Sequence, residues 1–171
     1  MTPPIVDRVY LVRHAKAGSR HGWAANDTAR ELTPAGWEQA RILATRLGPL
    51  VGAGRLLSSP FLRCQQTIEP LIEALNAGRP ASVASAEFAI ETLAALAESM
   101  PVEPVLGLVA TVAGGSVICS HGDVIPETIA ALDRRHCHIV GVPHWEKAST
   151  WILERLGDGT VIRAWSWAPP A

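Results

Sequence analysis

Val9-Tyr10-Leu11-Val12-Arg13-His14 is a short apolar run, rich in β-branched and aromatic residues, that stops abruptly on two basic side chains. Such a run reads as a buried strand, and its polar end marks where strand gives way to loop. An arginine and a histidine held side by side there can share one small anion. The pattern recurs twice. Ser58-Ser59-Pro60-Phe61-Leu62-Arg63 predicts a short strand, serines, then a helix with Arg63 in its first turn. Ser116-Val117-Ile118-Cys119-Ser120-His121-Gly122 predicts another strand that ends on polar residues. Three strand ends that each deliver a cationic or titratable side chain are what a phosphate pocket requires.

Between and beyond these segments the chain alternates strand and helix. Ala15 to Arg30 is a polar loop without a period. Thr33 then caps a helix with Pro34 at its first position, and Trp37, Ala40, Leu43, Ala44 and Leu47 share a face up to a stop at Gly48-Pro49. The helix after Ser59-Pro60 carries Cys64, Ile68, Leu71, Ile72 and Leu75 on one face, with a kink or break expected at Pro70. Asn76 to Pro80 reads as a turn and Ser82 to Ala86 as a strand. Ile90–Ala97 and Val102–Val112 read as helices, Val117–Ser120 as a strand and Ile125–Leu132 as a helix. Thr150–Leu156 and Val161–Trp167 flank Gly157-Asp158-Gly159, a hairpin signal.

This alternation implies a single α/β domain over residues 1–171, a three-layer α/β/α sandwich with a mostly parallel central sheet; Met1 to Pro4 and Ala168 to Ala171 read as frayed ends. Ligands of such sheets bind outside the carboxyl ends of the strands. His14, Arg63 and His121 all belong there.

These residues carry a family resemblance. Leu11-Val12-Arg13-His14-Ala15, Ser58-Ser59-Pro60 through Arg63 with Gln66-Thr67, and Ser120-His121-Gly122 resemble the three signature segments of the histidine phosphatase (phosphoglycerate mutase-like) superfamily. Asp27, Arg30, Leu32 to Gly36 and Gln39-Ala40 resemble its early linking region. The match spans Val9 to Thr128, and it is similar above all to the small SixA-type phosphatases and to the related domain attached to some Nudix hydrolases. It implies the fold already deduced, and it implies hydrolysis of a phosphomonoester or phosphoramidate through a phosphohistidine.

The same roles follow from the chemistry of the residues. A phosphoryl group in transfer spreads negative charge over its oxygens, so catalysis is chiefly electrostatic and positional. Arg13 and Arg63 form the clamp, since a guanidinium pairs two oxygens at once. His14 is the nucleophile, provided that one ring nitrogen stays bare while the other donates to a fixed acceptor, expected near Ala17 or Gly18. His121 adds a donor. The leaving oxygen needs a general acid: Glu91 best matches, by order and surroundings, the acid that the family resemblance implies, with Glu87 and Asp123 as rivals. Lys16, Arg20, His21 and Arg30 add charge in the first loop, so Lys16, Arg20 and Trp23 are candidates for substrate contact. For Trp23, packing of the loop is the simpler role.

Other features are weaker. His136-Cys137-His138 with His144 lacks zinc-ligand spacing and no Cys-x-x-Cys supports it, so no metal or other cofactor is expected. Cys119 lies in an apolar strand and reads as an inert thiol. Trp165 and Trp167 share one face of the last strand. Ala15 stands where the mutases carry glycine, and the chain lacks the insertions that shape a mutase site. Hydrolysis is therefore preferred over mutase activity, and a non-catalytic phosphate-binding module is the alternative of another class.

Composition sets the remaining bounds. The chain has 171 residues, 48% of them hydrophobic, a formal net charge of −1 and three widely spaced cysteines. A balanced charge disfavours nucleic acid and membrane surfaces, and the odd cysteine count suggests a reducing compartment, with the cytoplasm as the default. The start lacks the pattern of a signal peptide. The expected partners are a small phosphorylated metabolite or nucleotide, or a phosphohistidine protein.

Overall fold

The computed structural model describes residues 6–77 and 87–171. The strand expected over Ser82 to Ala86 lies outside these residues, as do the first four residues and most of the turn expected after Asn76. Seven strands form one mixed sheet: β1 (Val6–Arg13), β2 (Leu56–Ser58), β3 (Ile90–Thr92), β4 (Val117–Ser120), β5 (His138–Ile139), β6 (Thr150–Leu156) and β7 (Val161–Trp167). Four helices join them: α1 (Pro34–Val51), α2 (Leu62–Ala77), α3 (Glu103–Thr111) and α4 (Val124–Arg134). The order across the sheet is β3-β2-β4-β1-β6-β7-β5. β3, β2, β4 and β1 run parallel, and β6 opposes both β1 and β7.

Side-chain alternation on β1 divides the core into two layers. Val9 and Leu11 face α3 and α4, where Val105, Val109, Ile125 and Ile129 pack with Leu57, Ile118 and Trp151. Tyr10 and Val12 face α1 and α2, against Leu43, Leu47, Ile68 and Leu71. Both faces of the central strands are thus covered, which is why their sequences are unbroken apolar runs. Among the described residues no helix is long and apolar enough to cross a membrane.

Three expectations need correction. Ile90–Ala97 is not a helix: Ile90–Thr92 pairs in parallel with Leu56–Ser58, and Ala94–Leu96 forms a single 3-10 turn. Strand pairing at the sheet edge overrides the alanine-rich helical pattern. α1 runs through Gly48-Pro49 to Val51: Pro49 withholds one amide from the final turn, but fully buried Val51 holds that turn on the core. α2 continues past Pro70 to Ala77, so of the kink or break expected there the break does not occur.

Parallel registry fixes the site. Arg13 lies opposite Ser120, and Ser58 lies opposite Cys119, so three strands end at one level. Backbone bonds lock the first loop residues there: the His14 amide donates to Ser120 O (3.1 Å) and the Ser59 amide to Cys119 O (2.9 Å).

Candidate active site

The three strand ends open into a cleft of about 540 Å³ lined by Arg13, His14, Arg20, Arg30, Glu98, Asp123 and Lys147 together with small loop residues. His14 follows β1 and is nearly buried. Its Nδ1 lies 2.9 Å from the carbonyl oxygen of Ala15, not of Ala17 or Gly18, so Nδ1–H donates there and Nε2 keeps its lone pair. Among the described residues Nε2 has no hydrogen-bond partner. Burial, reinforced by the charges of Arg63, His121 and Arg13, lowers the imidazole pKa to about 3 against the pull of the Ala15 carbonyl. The ring is neutral across the physiological range.

Ala15 is itself pinned. Its amide donates to Thr67 Oγ1 (2.9 Å), and that hydroxyl donates to Arg63 O (2.6 Å), tying the loop to the first turn of α2. Gln39 Oε1 accepts from Lys16 N and Gln66 Oε1 from Leu32 N. Gly36 lets the start of α1 sit directly on the Lys16 backbone, where a Cβ would strike the Lys16 carbonyl. The polar residues of the linking region thus serve as props for the His14 loop.

Arg63 is completely buried, and its Nη1 donates to the Asp27 carbonyl (3.0 Å) and carboxylate (3.1 Å). Its Nη2 lies 3.4 Å from Glu98 and 3.5 Å from His121 Nδ1. Arg13 reaches across the end of β4 and donates to the Trp145 carbonyl. Burial weakens its hold on a proton, which Asp123, Glu146 and Glu98 partly restore. Both arginines keep a buried Nε–H without an acceptor. Buried unsatisfied donors of this kind cost about 1–3 kcal/mol each, so proteins retain them where function requires it. His121 is also fully buried, with Nε2 2.7 Å from Ser59 Oγ and 3.5 Å from Cys64 Sγ. Its ring meets His14 edge-on at 5.5 Å between centroids.

The first loop is an electrostatic frame. Asn26 caps a 3-10 turn over Asp27–Ala29. Asp27 then collects Arg63, Arg30 (2.8 Å) and Arg20 (3.5 Å), and although desolvation opposes ionisation, these partners hold its carboxyl below the usual range. Arg30 is buried and also donates to the Gly18 carbonyl, so its place is structural as well as electrostatic. Trp23 is half-buried and donates its indole N–H to Asn26 O, consistent with packing of the loop. Lys16 is exposed and lines a neighbouring cavity instead of this cleft. His136 follows the C-cap of α4, His138 lies on β5, and His144 sits beside Glu146; among the described residues no group of metal-binding side chains converges.

Glu91 does not reach the cleft. It lies on edge strand β3 and pairs with Arg55 (2.5 Å), the residue that leads into β2, with both side chains nearly half exposed. Glu87 is exposed and precedes β3, at the same remote end of the sheet. A carboxylate that does enter, beside Asp123, is Glu98, which no periodic pattern marks. It accepts from Arg20 Nη2 at 2.9 Å with both oxygens and faces Arg63. Its loop is held by Leu93 N on Ser58 O, Ser120 Oγ on Leu96 O and Ser99 N on Asp123 Oδ2. Asp123 therefore braces the Glu98 loop while lining the rim. Lys147 is a second residue that the sequence reading passed over.

The family comparison agrees with this geometry. A match to the histidine phosphatase superfamily, branch 1, covers residues 9–103. The chain is 33% identical over 162 residues to an 8-oxo-(d)GTP phosphatase of Mycolicibacterium smegmatis, covering 95% of this chain and 48% of that protein. It is 39% identical over 77 residues to the phosphohistidine phosphatase SixA of Escherichia coli, covering 44% of this chain and 46% of that protein. The chain therefore matches about half the length of these curated relatives. A solved structure of the protein histidine phosphatase SixA bound to tungstate superposes with a TM-score of 0.69 at 26% identity, over 95% of this chain and 97% of the other. With the strand ends, the paired arginines and the two histidines in place, this chain belongs to branch 1 of the histidine phosphatase superfamily.

Proposed function

We propose that this chain is a phosphatase that hydrolyses a phosphomonoester or phosphoramidate through a phosphohistidine on His14. The observation that carries the reading is the state of that ring: neutral, with Nδ1–H fixed on Ala15 O and Nε2 free, beside the arginine clamp. Nε2 attacks phosphorus in line while the bond to the leaving oxygen or nitrogen breaks. Arg13, Arg63 and His121 Nδ1 receive the charge of the equatorial oxygens. Water then attacks the phosphohistidine, releasing phosphate and restoring the free imidazole. Each of these steps uses only side chains and water, so no metal or cofactor is required. The likeness to a tungstate-bound SixA structure supports an oxyanion in this place.

Glu98 is the general acid of this mechanism. Its carboxylate accepts from Arg20 and lies 3.4 Å from Arg63, beside the clamp. A phosphate that engages Arg63 comes to lie next to this carboxylate, which carries the proton to be donated. The proton can then pass to the leaving atom. The substrate is a small phosphorylated metabolite or nucleotide, or a phosphohistidine protein; the relatives named for 8-oxo-(d)GTP and phosphohistidine represent the two classes.

The test is chemical. Rapid acid-free quenching during turnover of a 32P-labelled phosphomonoester in the presence of EDTA should trap an acid-labile, base-stable phosphoprotein. His14→Asn should give neither label nor phosphate release. Label retained by the variant would refute the mechanism.

A further inference from the structure

The cleft contains one cation that the phosphatase reading leaves unused. Lys147 sits in the strap between β5 and β6 that also supports the site: Trp145 O accepts from Arg13, and the Ala148 amide donates to both Arg13 O and His14 O at 3.1 Å. The strap holds Ala148 in the left-handed region at φ 67°, a conformation costly for a residue with a Cβ and therefore imposed by its surroundings. Lys147 is half-buried and faces the positive charges of Arg13, Arg30, Arg63 and Arg20; burial first and those charges second lower its pKa.

Every other cation of the cleft wall except Arg13 is offset by a carboxylate. Arg63 and Arg20 share Asp27 and Glu98, and Arg30 pairs with Asp27. The remaining acids are engaged elsewhere: Asp123 accepts from Ser99 N, and Glu146 lies against His144 at 3.6 Å. Among the described residues Lys147 has no ion-pair or hydrogen-bond partner. On the side of the cleft Lys147 shares the wall with Arg13, Arg20 and Arg30 and, among the described residues, pairs with no carboxylate, an arrangement that a bound anion would complete. Lys147 also lines the adjoining cavity, which it shares with Lys16, Thr33, Gln39, Glu146 and the chain end at Pro170 and Ala171. It stands where the cleft passes from the clamp toward that second space. The 540 Å³ of the cleft itself lies within the range of whole small-molecule sites, well beyond one phosphate.

We propose that Lys147 determines specificity by binding a second phosphoryl group joined to the one under attack, so that the substrate class is a small molecule ending in a diphosphate, such as a nucleoside diphosphate. This rests on the phosphatase reading of the cleft. A phosphohistidine protein presents an uncharged imidazole on its leaving side and would draw nothing from this ammonium. A diphosphate places its inner phosphate there, one bridging oxygen away from the phosphorus that His14 attacks.

Two measurements separate this proposal from the reading beneath it. The first compares kcat/KM for ADP and AMP in the wild type, Lys147→Met and Lys147→Arg. The wild type should prefer ADP, Lys147→Met should lower the ADP-to-AMP ratio about tenfold to hundredfold, the range of one charge-assisted hydrogen bond, and Lys147→Arg should recover most of it. An unchanged ratio, or wild-type preference for AMP, overturns the proposal. The second is calorimetric titration of the His14→Ala protein with inorganic pyrophosphate and with orthophosphate, in the presence and absence of Lys147→Met. Selective weakening of pyrophosphate supports the subsite even if no turnover is found and the phosphatase reading fails. Equal weakening of both anions, or pyrophosphate bound no more tightly than orthophosphate, rejects it.

Discussion

The Nδ1 of His14 lies 2.9 Å from the carbonyl oxygen of its own neighbour, Ala15, and that single bond decides which nitrogen is free to react. The acceptor is fixed in turn, because the Ala15 amide is anchored on Thr67. An orienting carbonyl one residue away leaves the ring little freedom to turn, and burial keeps it uncharged. His14 is thus held neutral and oriented, as the proposed nucleophile must be, before any substrate arrives.

His14 should therefore show no protonation between pH 5 and 8 in 15N-resolved NMR, and Nδ1 should carry the hydrogen throughout. The folded pKa of about 3 lies below the ordinary 6.5, so between these values the folded chain binds fewer protons than the unfolded one. The stability that His14 contributes by staying neutral is complete above about pH 6.5 and is lost as the pH falls toward 3. Urea unfolding should accordingly show the wild type losing stability between pH 7 and pH 5 faster than His14→Asn. Parallel curves for the two proteins would contradict the buried, neutral ring.

The strand ends at Arg13, Ser58 and Ser120 were legible because strands covered on both faces leave uninterrupted apolar runs with abrupt polar stops. Glu98 was not, and its neighbour Glu91 shows why. Ile90–Ala97 has the composition and spacing of a helix, yet Ile90–Thr92 gains a parallel partner in β2, and sheet pairing depends on contacts distant in sequence. Once that segment becomes an edge strand, Glu91 moves to the far end of the sheet and the next carboxylate, Glu98, is carried into the cleft. The acceptor for His14 was misplaced for a similar reason, since the direction of a loop carbonyl follows from φ and ψ and leaves no mark in residue type. Lys147 gave no signal because its meaning depends on the arginines around it.

The exchange of Glu91 for Glu98 has direct kinetic consequences. Glu98→Gln should slow alkyl phosphates by about 10²- to 10⁴-fold, the usual contribution of a general acid, and affect p-nitrophenyl phosphate far less because its leaving group scarcely needs a proton. Glu91→Gln should leave both rates near wild type and change stability by no more than about 1 kcal/mol, as for any exposed ion pair. A leaving-group-dependent loss in the Glu91 variant would restore the acid to β3.

Gly122 allows the Arg13 guanidinium to lie against the backbone that follows β4. A Cβ added there would come within 2.5 Å of Arg13 Cζ, 2.6 Å of Nη2 and 2.8 Å of Nε. The arginine is the mobile partner in this clash, so Gly122→Ala should displace the clamp without unfolding the chain. Activity should fall toward that of Arg13→Ala while the thermal midpoint moves by only a few degrees. The double variant isolates the cause: with Arg13 already removed, Gly122→Ala should cost little more, whereas additive losses would mean that Gly122 acts on something else.

Asp123 is a candidate acid by sequence, but its Oδ2 accepts the Ser99 amide at 2.6 Å and so holds Ser99 at φ 66°. A non-glycine residue in that region costs about 1–2 kcal/mol unless its surroundings compensate, and the Asp123 bond is one such compensation. Without it the turn should relax and Glu98 should swing away from Arg63. Asp123→Ala should thus reproduce the leaving-group dependence of Glu98→Gln, whereas Asp123→Asn, which keeps an oxygen acceptor, should recover most of the rate. Ser99→Gly in the Asp123→Ala protein should restore stability but not activity, because glycine removes the strain without redirecting the carboxylate. If Asp123→Asn is as impaired as Asp123→Ala, the carboxylate charge itself takes part, and Asp123 shares the proton chemistry with Glu98.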